Sequence, residues 1–132
     1  MHNNETVTLI VPARSEYAKT VRMTAATLVS RTDMNYDEVE DVRMAADEAF
    51  VYAVDTLEPG ADVHFEFAIT DGVLTIDVSL GSTSRATGDD AERSAAYATF
   101  ILESVCDSYQ FVSDETGAHL RLTKRAGIVH AG

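Results

Sequence analysis

Glu48 and Tyr52 are the two side chains whose types and spacing first raise the question of chemistry. They lie four residues apart inside the longest helical pattern of the chain, so both project from one strip of a helix surface. At this spacing the phenol can hydrogen-bond to the carboxylate while its ring fills the space beside it. A single glutamate on a helix is more often a solvated acid than a catalyst. The elements around the pair therefore have to decide what it does.

The helix that carries this pair is predicted over residues 35–57. Asn35 can cap its first turn, and Glu38 stands where a capping-box acid reaches back to the cap. Pro59 and Gly60 end the pattern. Apolar residues recur at three- and four-residue spacings and form one stripe, which predicts the face that packs on the core. The stripe consists of Val39, Val42, Ala46, Ala49, Phe50, Ala53 and Leu57.

Two elements are predicted before this helix. Residues 5–11 alternate apolar and polar side chains, which is typical of a half-buried strand, and Pro12 ends it. A helical pattern follows over residues 15–31, with Ser15 as its expected N-cap. This is the first helix of the chain, and its expected buried side contains Tyr17, Val21, Ala25 and Leu28.

Beyond Gly60 the period of the apolar residues changes from helical to two, which predicts two strands joined by a turn at residues 70–72. A polar loop over residues 81–90 and a third helix over residues 91–106 follow. Phe100 on this helix is expected in the core together with Phe50. A second hairpin is predicted around the turn chemistry of Asp114, Glu115, Thr116 and Gly117.

The predicted order of elements is therefore β-α-α-β-β-α-β-β. Hairpin connections imply mostly antiparallel pairing, and alternating strands leave one apolar face for the helices. Three helices on one face of a sheet make a two-layer α+β sandwich. We expect a single domain over residues 1–132, with a frayed tail over residues 126–132.

Composition narrows the classes of function. The 132 residues carry 22 acids against 10 bases, a net charge of -12, which argues against nucleic-acid binding and permits a basic protein partner. No apolar run reaches the roughly 18 residues of a membrane span, and no secretory signal is visible. The single Cys106 fits a reducing compartment and is expected to be a small buried residue, so a cytoplasmic location is predicted. None of the four histidines is spaced with Cys106 or with acids as metal ligands usually are, so no metal site is predicted.

Four stretches of the chain resemble the RsbW-type anti-sigma factor serine kinases of the GHKL (Bergerat-fold, histidine-kinase-like) ATPase superfamily. They read VPARSEYAKTVRMT, YDEVEDVRMAADEAFVYAV, DGVLTIDV and FILESVCDSYQF, and they cover nearly the whole chain in the expected order. The first two are specific, whereas the other two are weak alone. The resemblance implies an α/β sandwich, in agreement with the pattern of elements.

The resemblance also implies where a nucleotide would bind. The family helix carries Glu-Ala-x-x-Asn-Ala, in which the glutamate is the catalytic base and the asparagine ligates Mg²⁺. Glu48 matches the glutamate, but Tyr52 stands at the asparagine position, where a phenol is a poor ligand for an ion that needs small oxygen ligands. The family's adenine-reading aspartate has no counterpart near Gly81. The glycine-rich turn before the third helix reads Ala-Ala-Tyr-Ala, and Ala96 and Ala98 are expected to block the approach of backbone amides to phosphates.

The family's Mg²⁺-binding asparagine, adenine-reading aspartate and glycine-rich turn are all missing, so the sequence predicts a degenerate nucleotide site. Glu48 would be a relic of the base, and Tyr52, Ala96 and Ala98 would mark the altered pocket. Phosphoryl transfer depends on positioning and on charge neutralisation, so the loss of these parts predicts the loss of activity. No cofactor is expected, and ATP with Mg²⁺ would bind only if the chain were a working kinase.

The resemblance further implies a partner-binding face on the first helix. A family arginine there matches Arg22, and Glu16, Lys19 and Arg22 recur at helical spacing, so the three could form one strip that contacts a sigma factor or an anti-anti-sigma factor. Ordinary exposed charges are the other interpretation of the same strip. The resemblance also implies a homodimer through the first strand and first helix, with an isologous interface.

Three functions are therefore left open. The first is an anti-sigma-factor-like regulator that acts by protein binding without kinase activity. The second is an active ATP-dependent serine kinase that phosphorylates an anti-anti-sigma factor. The third is an interaction subunit that keeps the fold only for dimerisation.

Overall fold

The helices and strands follow one another in the predicted order. The computed structural model describes residues 5–81 and 89–127. The strands are β1 (Glu5–Pro12), β2 (Asp62–Thr70), β3 (Val73–Ser79), β4 (Ser108–Asp114) and β5 (Gly117–Arg125). The helices are α1 (Ala18–Val29), α2 (Tyr36–Thr56) and α3 (Asp89–Val105), with a short 3-10 helix at Ser15–Tyr17 before α1. The predicted sequence of elements is thereby confirmed.

The five strands form one antiparallel sheet in the order β1-β2-β3-β5-β4. Side chains alternate between the two faces of a strand, so the buried apolar residues of β2 and β3 face the helices and the polar residues between them lie on an open face. The open face carries His64, Glu66, Asp77, His119 and Arg121. This arrangement is the predicted two-layer α+β sandwich, with β1 and β4 at the edges of the sheet.

The turn between β2 and β3 has the backbone geometry that its residues favour. Asp71 and Gly72 both have positive φ angles, 50° and 79°. Two consecutive left-handed residues make a type I′ turn, whose twist matches that of antiparallel strands. The hairpin predicted from this dipeptide is therefore confirmed, and it fixes the register that puts Ile76 opposite Phe67.

The core lies between the sheet and the helices, with α2 at its centre. α2 contacts α1 on one side, α3 on the other, and strands β2, β3 and β5 beneath it. Fully buried side chains fill the space, and the largest are Phe50, Phe65, Phe67, Leu74, Leu102, Leu120 and Leu122. Within residues 5–81 and 89–127, no helix is long and apolar enough to cross a membrane.

The first turn of α2 has the predicted capping box. The side chain of Asn35 accepts a hydrogen bond from the Glu38 N–H at 2.8 Å, and the Glu38 carboxylate accepts one from the Asn35 N–H at 2.9 Å. The same carboxylate also accepts a hydrogen bond from the backbone N–H of Gly127. The start of α2 therefore also holds the end of the described chain, and residues 128–132 of the predicted frayed tail lie outside the described residues.

The start of α1 differs from the prediction. Ser15 was expected to cap the helix, but it opens the 3-10 helix instead, and neither this helix nor α1 has a side-chain cap. Tyr17 precedes α1 with φ -94° and ψ 5°, in the bridge region outside regular helical geometry. Because the 3-10 turn already engages the backbone groups, the α-helix begins three residues later than predicted.

Phe100 is exposed, so its predicted place in the core is wrong. Its relative exposure is 75%, whereas Phe50 is 1% exposed. α3 turns Ala98, Leu102 and Val105 toward the core. Phe100 is two residues from Ala98, which rotates it by about 200° around the helix to the solvent side. The apolar character of the side chain was misleading, because the helical period decides which side it occupies.

Cys106 lies directly after α3 and is only partly buried. Burial is nevertheless the main reason that the pKa of its thiol rises to about 12, since the nearby Lys124 lowers it less than burial raises it. A thiol with such a pKa stays protonated near neutral pH and is a poor nucleophile. Cys106 is therefore a packing residue rather than a reactive one.

The opposite environments of Phe50 and Phe100 give a direct test of the fold. Phe50→Ala removes a fully buried ring and should lower the free energy of unfolding by about 3–5 kcal/mol. Phe100→Ala removes an exposed ring and should change it by less than about 0.5 kcal/mol. Urea unfolding followed by circular dichroism measures both values, and similar losses in the two variants would contradict the orientation of α3.

Candidate functional site

Glu48 lies on the buried side of α2. Its relative exposure is 8%, and it is the charged residue found among the buried side chains of the described chain. Burial raises the pKa of this carboxyl above its ordinary value of 4.5, and the negative charges of Asp47 and Asp55 act in the same direction. Glu48 therefore holds its proton more tightly than an exposed glutamate does.

Tyr52 lies one turn further along α2 and packs toward the edge of the sheet. Its ring centroid is 5.5 Å from that of Phe111 on β4, and the two rings are inclined by 60°. This is a tilted aromatic contact of the kind that stabilises packing between elements. In the described part of the chain, no hydrogen bond joins the Tyr52 hydroxyl to Glu48, although their spacing suggested one. The orientation of Tyr52 is therefore set by its ring contact with Phe111.

Ala96 and Ala98 do not lie in a turn before the third helix, so that placement is wrong. α3 begins at Asp89, and residues 95–98 lie inside it. Backbone N–H groups beyond the first turn are used by the helix itself and cannot contact a phosphate. Ala98 is fully buried whereas Ala96 is exposed, so the two face different sides of α3. Most of the predicted loop over residues 81–90 lies outside the described residues.

Glu16 and Lys19 are brought together on the exposed side of the first helical segment. They line a shallow groove whose other walls are Thr20, Met23, Thr24, Thr27 and Leu28. Glu16 forms an ion pair with Arg14 at 2.7 Å. Lys19 is exposed and makes no ion pair with the described residues. Met23 is 49% exposed, so the groove combines a cation with accessible apolar surface.

Arg22 is not part of this groove and points toward α2. Its guanidinium donates to the Asp47 carboxylate, with Nη1 and Oδ1 2.9 Å apart, and both side chains are half-buried. The predicted strip is thereby divided, with Glu16 and Lys19 on the groove and Arg22 between the helices. The pair also joins α1 to the residue immediately before Glu48.

Asp47 and Met23 are the residues of this region that the sequence did not indicate. Asp47 is separated from Arg22 by 25 positions, so only the packing of α1 on α2 brings the two together. Met23 follows Arg22 directly, and its position in the helical repeat does not distinguish a buried residue from an exposed one. The only available signal was the presence of an acid directly before Glu48.

The fold and the site define a class of protein, a helix-covered antiparallel sheet whose central helix carries one buried glutamate. No family model matches the chain. The protein named serine-protein kinase RsbW from Halalkalibacterium halodurans is 26% identical over 139 residues, covering 94% of this chain and 85% of the relative. Its namesakes from Listeria monocytogenes serotype 4a and Bacillus subtilis strain 168 are 28% and 24% identical, over 94% and 93% of this chain and 88% and 87% of their own.

These matches extend over almost the whole chain and agree with the resemblance seen in its sequence. Over almost its whole length the chain is similar to the RsbW-type anti-sigma factor serine kinases.

The raised pKa of Glu48 predicts how stability depends on pH. Because the folded state binds this proton more tightly than the unfolded state, the contribution of Glu48 is greatest below pH 4.5 and is lost as pH rises through the folded-state pKa. Glu48→Gln should therefore be more stable than the wild type at pH 7–8, and the difference should shrink as pH falls toward 4.5.

Urea unfolding of both proteins across this pH range measures the difference. Glu103→Gln, at an exposed position on α3, is the matched control for removing one negative charge from an acidic protein. If Glu48→Gln and Glu103→Gln gave the same change in stability at every pH, the buried environment of Glu48 would be refuted.

Proposed function

We propose that the chain is an anti-sigma-type regulator of transcription that works in the cytoplasm by binding protein partners and has lost ATP binding and kinase activity. Its partners would be a sigma factor, an anti-anti-sigma factor, or both. The observation that carries the proposal is Tyr52, which stands where the resemblance places the Mg²⁺-binding asparagine. Its ring is packed on Phe111, so the position is occupied by an aromatic contact between α2 and β4.

Two further features support the loss of nucleotide binding. Residues 95–98, matched to the family's phosphate-binding turn, are helical, so their backbone amides are engaged. Gly81 and its neighbours carry no acid that could read adenine. Phosphoryl transfer needs Mg²⁺, positioned phosphates and a base together, and Glu48 alone cannot replace the first two.

An active serine kinase is the second candidate, and one observation favours it. A general base works best when its pKa is raised toward the working pH, and burial of Glu48 shifts its pKa in that direction. The relatives are moreover named serine-protein kinases. Nucleotide binding separates the two candidates because a ligand that binds only the folded state raises its stability.

The partner face that we propose is the groove on α1 together with Arg22. Lys19 offers there an exposed cation that forms no ion pair with the described residues, and Met23 offers apolar surface that a partner side chain can cover. Arg22 is held by Asp47 in the free protein, so a carboxylate of the partner would have to replace that ion pair. Docking at this face would therefore weaken the link between α1 and the Glu48 helix.

A homodimer through β1 and α1 completes the proposal. β1 is an edge strand, so main-chain groups along one side of it have no strand partner in the described chain. Ile10 on the open face is 51% exposed, and α1 follows β1 closely. Pairing of two such edges about a two-fold axis would be isologous, and light scattering during gel filtration would measure the mass of the assembly.

The loss of nucleotide binding can be tested by calorimetric titration with ATP and Mg²⁺. We expect no detectable heat and no rise in melting temperature at millimolar nucleotide, because the Mg²⁺ and phosphate sites are missing. The RsbW protein of Bacillus subtilis is the matched comparison under the same conditions. Binding with a dissociation constant well below 1 mM, accompanied by phosphorylation of an anti-anti-sigma factor, would move the kinase function to first place.

The role of Arg22 can be tested with two variants that break the same ion pair. Arg22→Ala should weaken capture of a sigma factor at least tenfold, or about 1.4 kcal/mol, because the contact with the partner is lost. Asp47→Asn frees the guanidinium and should leave capture unchanged or strengthen it. Surface plasmon resonance against each sigma factor of the source organism gives both affinities. Equal losses in the two variants would reduce Arg22 to a structural link between helices.

A further inference from the structure

Three exposed apolar side chains lie on the outer side of the helical layer, which is the side directed away from the sheet. They are Met44 and Val51 on α2 and Phe100 on α3. Each has a buried residue two positions before it and another two positions after it, and these are Val42 and Ala46, Ala49 and Ala53, and Ala98 and Leu102. A step of two residues turns a helix by about 200°, so all three side chains point away from the core.

α2 and α3 are antiparallel neighbours along most of their length. Near one end, the Ser94 hydroxyl of α3 donates to the Asp55 carboxylate of α2, with Oγ and Oδ2 3.4 Å apart. Near the other end, Cys106 lines a small cavity together with Ala45 of α2. These two contacts fix which turns of the two helices lie side by side.

Phe100 is therefore level with the turn of α2 that carries Glu48 and Val51, because it lies midway between Ser94 and Cys106. Tyr97 is also exposed and lies three residues before Phe100, on the same strip of α3. We call Met44, Val51, Tyr97 and Phe100 the outer helical patch. It extends across two helices and is distinct from the groove on α1.

Glu48 lies at the inner edge of this patch. It is one helical turn from Met44 on one side and one turn from Val51 on the other. Its side chain is buried and makes no hydrogen bond or ion pair with the described residues. Burial raises its pKa, and Asp47 and Asp55 raise it further, so no compensating cation stabilises the ionised carboxylate. A buried carboxylate is costly without a cation, and a cation supplied by a partner would offset that cost.

The two helices hold most of the negative charge of the chain. α2 contains seven acids and one base, and α3 contains four acids and one base. Together they account for nine of the twelve net negative charges. A second copy of the chain would bring the same acids to an isologous contact, and like charges would repel. The charge therefore favours a basic partner over self-association at this patch.

The spacing of the patch fits a helix. Met44 and Val51 are seven residues apart, which is about 10 Å along the axis of α2. Apolar side chains at positions i, i+3 or i+4 and i+7 of an amphipathic helix extend over the same distance. Lysine and arginine on the flank of such a helix can lay their apolar stems on neighbouring apolar side chains while the charged head reaches an acid.

We propose that the outer helical patch and Glu48 form a docking site for a basic amphipathic helix of a protein partner. Apolar side chains of that helix cover Met44, Val51 and Phe100, and a lysine or arginine pairs with Glu48. The inference goes beyond the proposed function, because it concerns α2 and α3 rather than the α1 groove and holds whether or not the chain binds ATP.

Fluorescence anisotropy of a labelled leucine–lysine peptide, titrated with the full chain, tests the proposal. The peptide has about 18 residues, long enough to form a helix, with its leucines on one helical face and lysines elsewhere. A peptide of the same composition with its leucines spread around the helix controls for general attraction to an acidic protein, and salt at about 0.15 M limits that attraction. We expect the amphipathic peptide to bind about tenfold more tightly, or better, than this control.

Two variants test the two kinds of contact. Phe100→Ala removes an exposed apolar anchor and should weaken binding of the amphipathic peptide about fivefold or more. Glu48→Gln removes the partner of the cation and should weaken it about tenfold or more. Ile10→Ala and Glu66→Gln are the matched controls, because they remove an exposed apolar side chain and an exposed acid from the open face of the sheet. Both controls should bind as the wild type does.

A measurement on the wild type keeps the test valid if a variant is unstable. In NMR titrations the amphipathic peptide should shift the amide resonances of residues 44–51 and 97–104 and leave those of β2 unchanged. Equal affinities of the two peptides, equal losses in the matched controls, or shifts confined to the α1 groove would each overturn the proposal. A dimer that Phe100→Ala dissociates in sedimentation equilibrium would also overturn it, because a second copy would then cover the patch.

Discussion

Burial of α2 is the constraint on which the rest of the structure depends. This helix lies between α1 and α3 and over the middle of the sheet, so it cannot move without opening the core. The capping box holds its first turn. Asp41, also on α2, forms an ion pair with Lys124 of β5, with Nζ and Oδ2 3.0 Å apart. Every residue discussed as part of the candidate site is either on α2 or in contact with an element that packs on it.

The same burial explains why Glu48 is ambiguous in function. Ionising a buried carboxyl costs free energy, so replacing Glu48 by an uncharged residue would stabilise a protein that had no functional use for it. Its raised pKa suits a base, whereas Tyr52 one turn along α2 packs on Phe111 and residues 95–98 lie inside a continuous helix. The first observation favours an active kinase and the other two favour the proposed loss of nucleotide binding.

Charge pairing gives the acidic surface a pattern. Arg14, Arg22, Arg31, Arg43, Arg121 and Lys124 each form an ion pair with a carboxylate of the described chain. Exposed pairs of this kind add little stability individually. Lys19, beside the α1 groove, is exposed and makes no ion pair with the described residues, so its charge is available to the partner that we propose for this face.

The sequence alone determined the order of the elements, the ends of α2 and the β2–β3 turn. Each of these follows from residues that act locally: Asn35 with Glu38, Asp71 with Gly72, and apolar residues at periods of two and 3.6. A period is reliable for a long element, and it failed for Phe100 only because a single aromatic residue was placed by its hydropathy rather than by its position on the helix.

The tertiary structure decided which side chains meet. Arg22 contacts Asp47 25 positions away, Tyr52 contacts Phe111, and His119 lies 2.7 Å from Asp77 across two strands. Such contacts depend on the order of strands in the sheet and on the angle at which helices pack. No pattern of neighbours along the chain contains that information, because the same local periods are compatible with several arrangements of the elements.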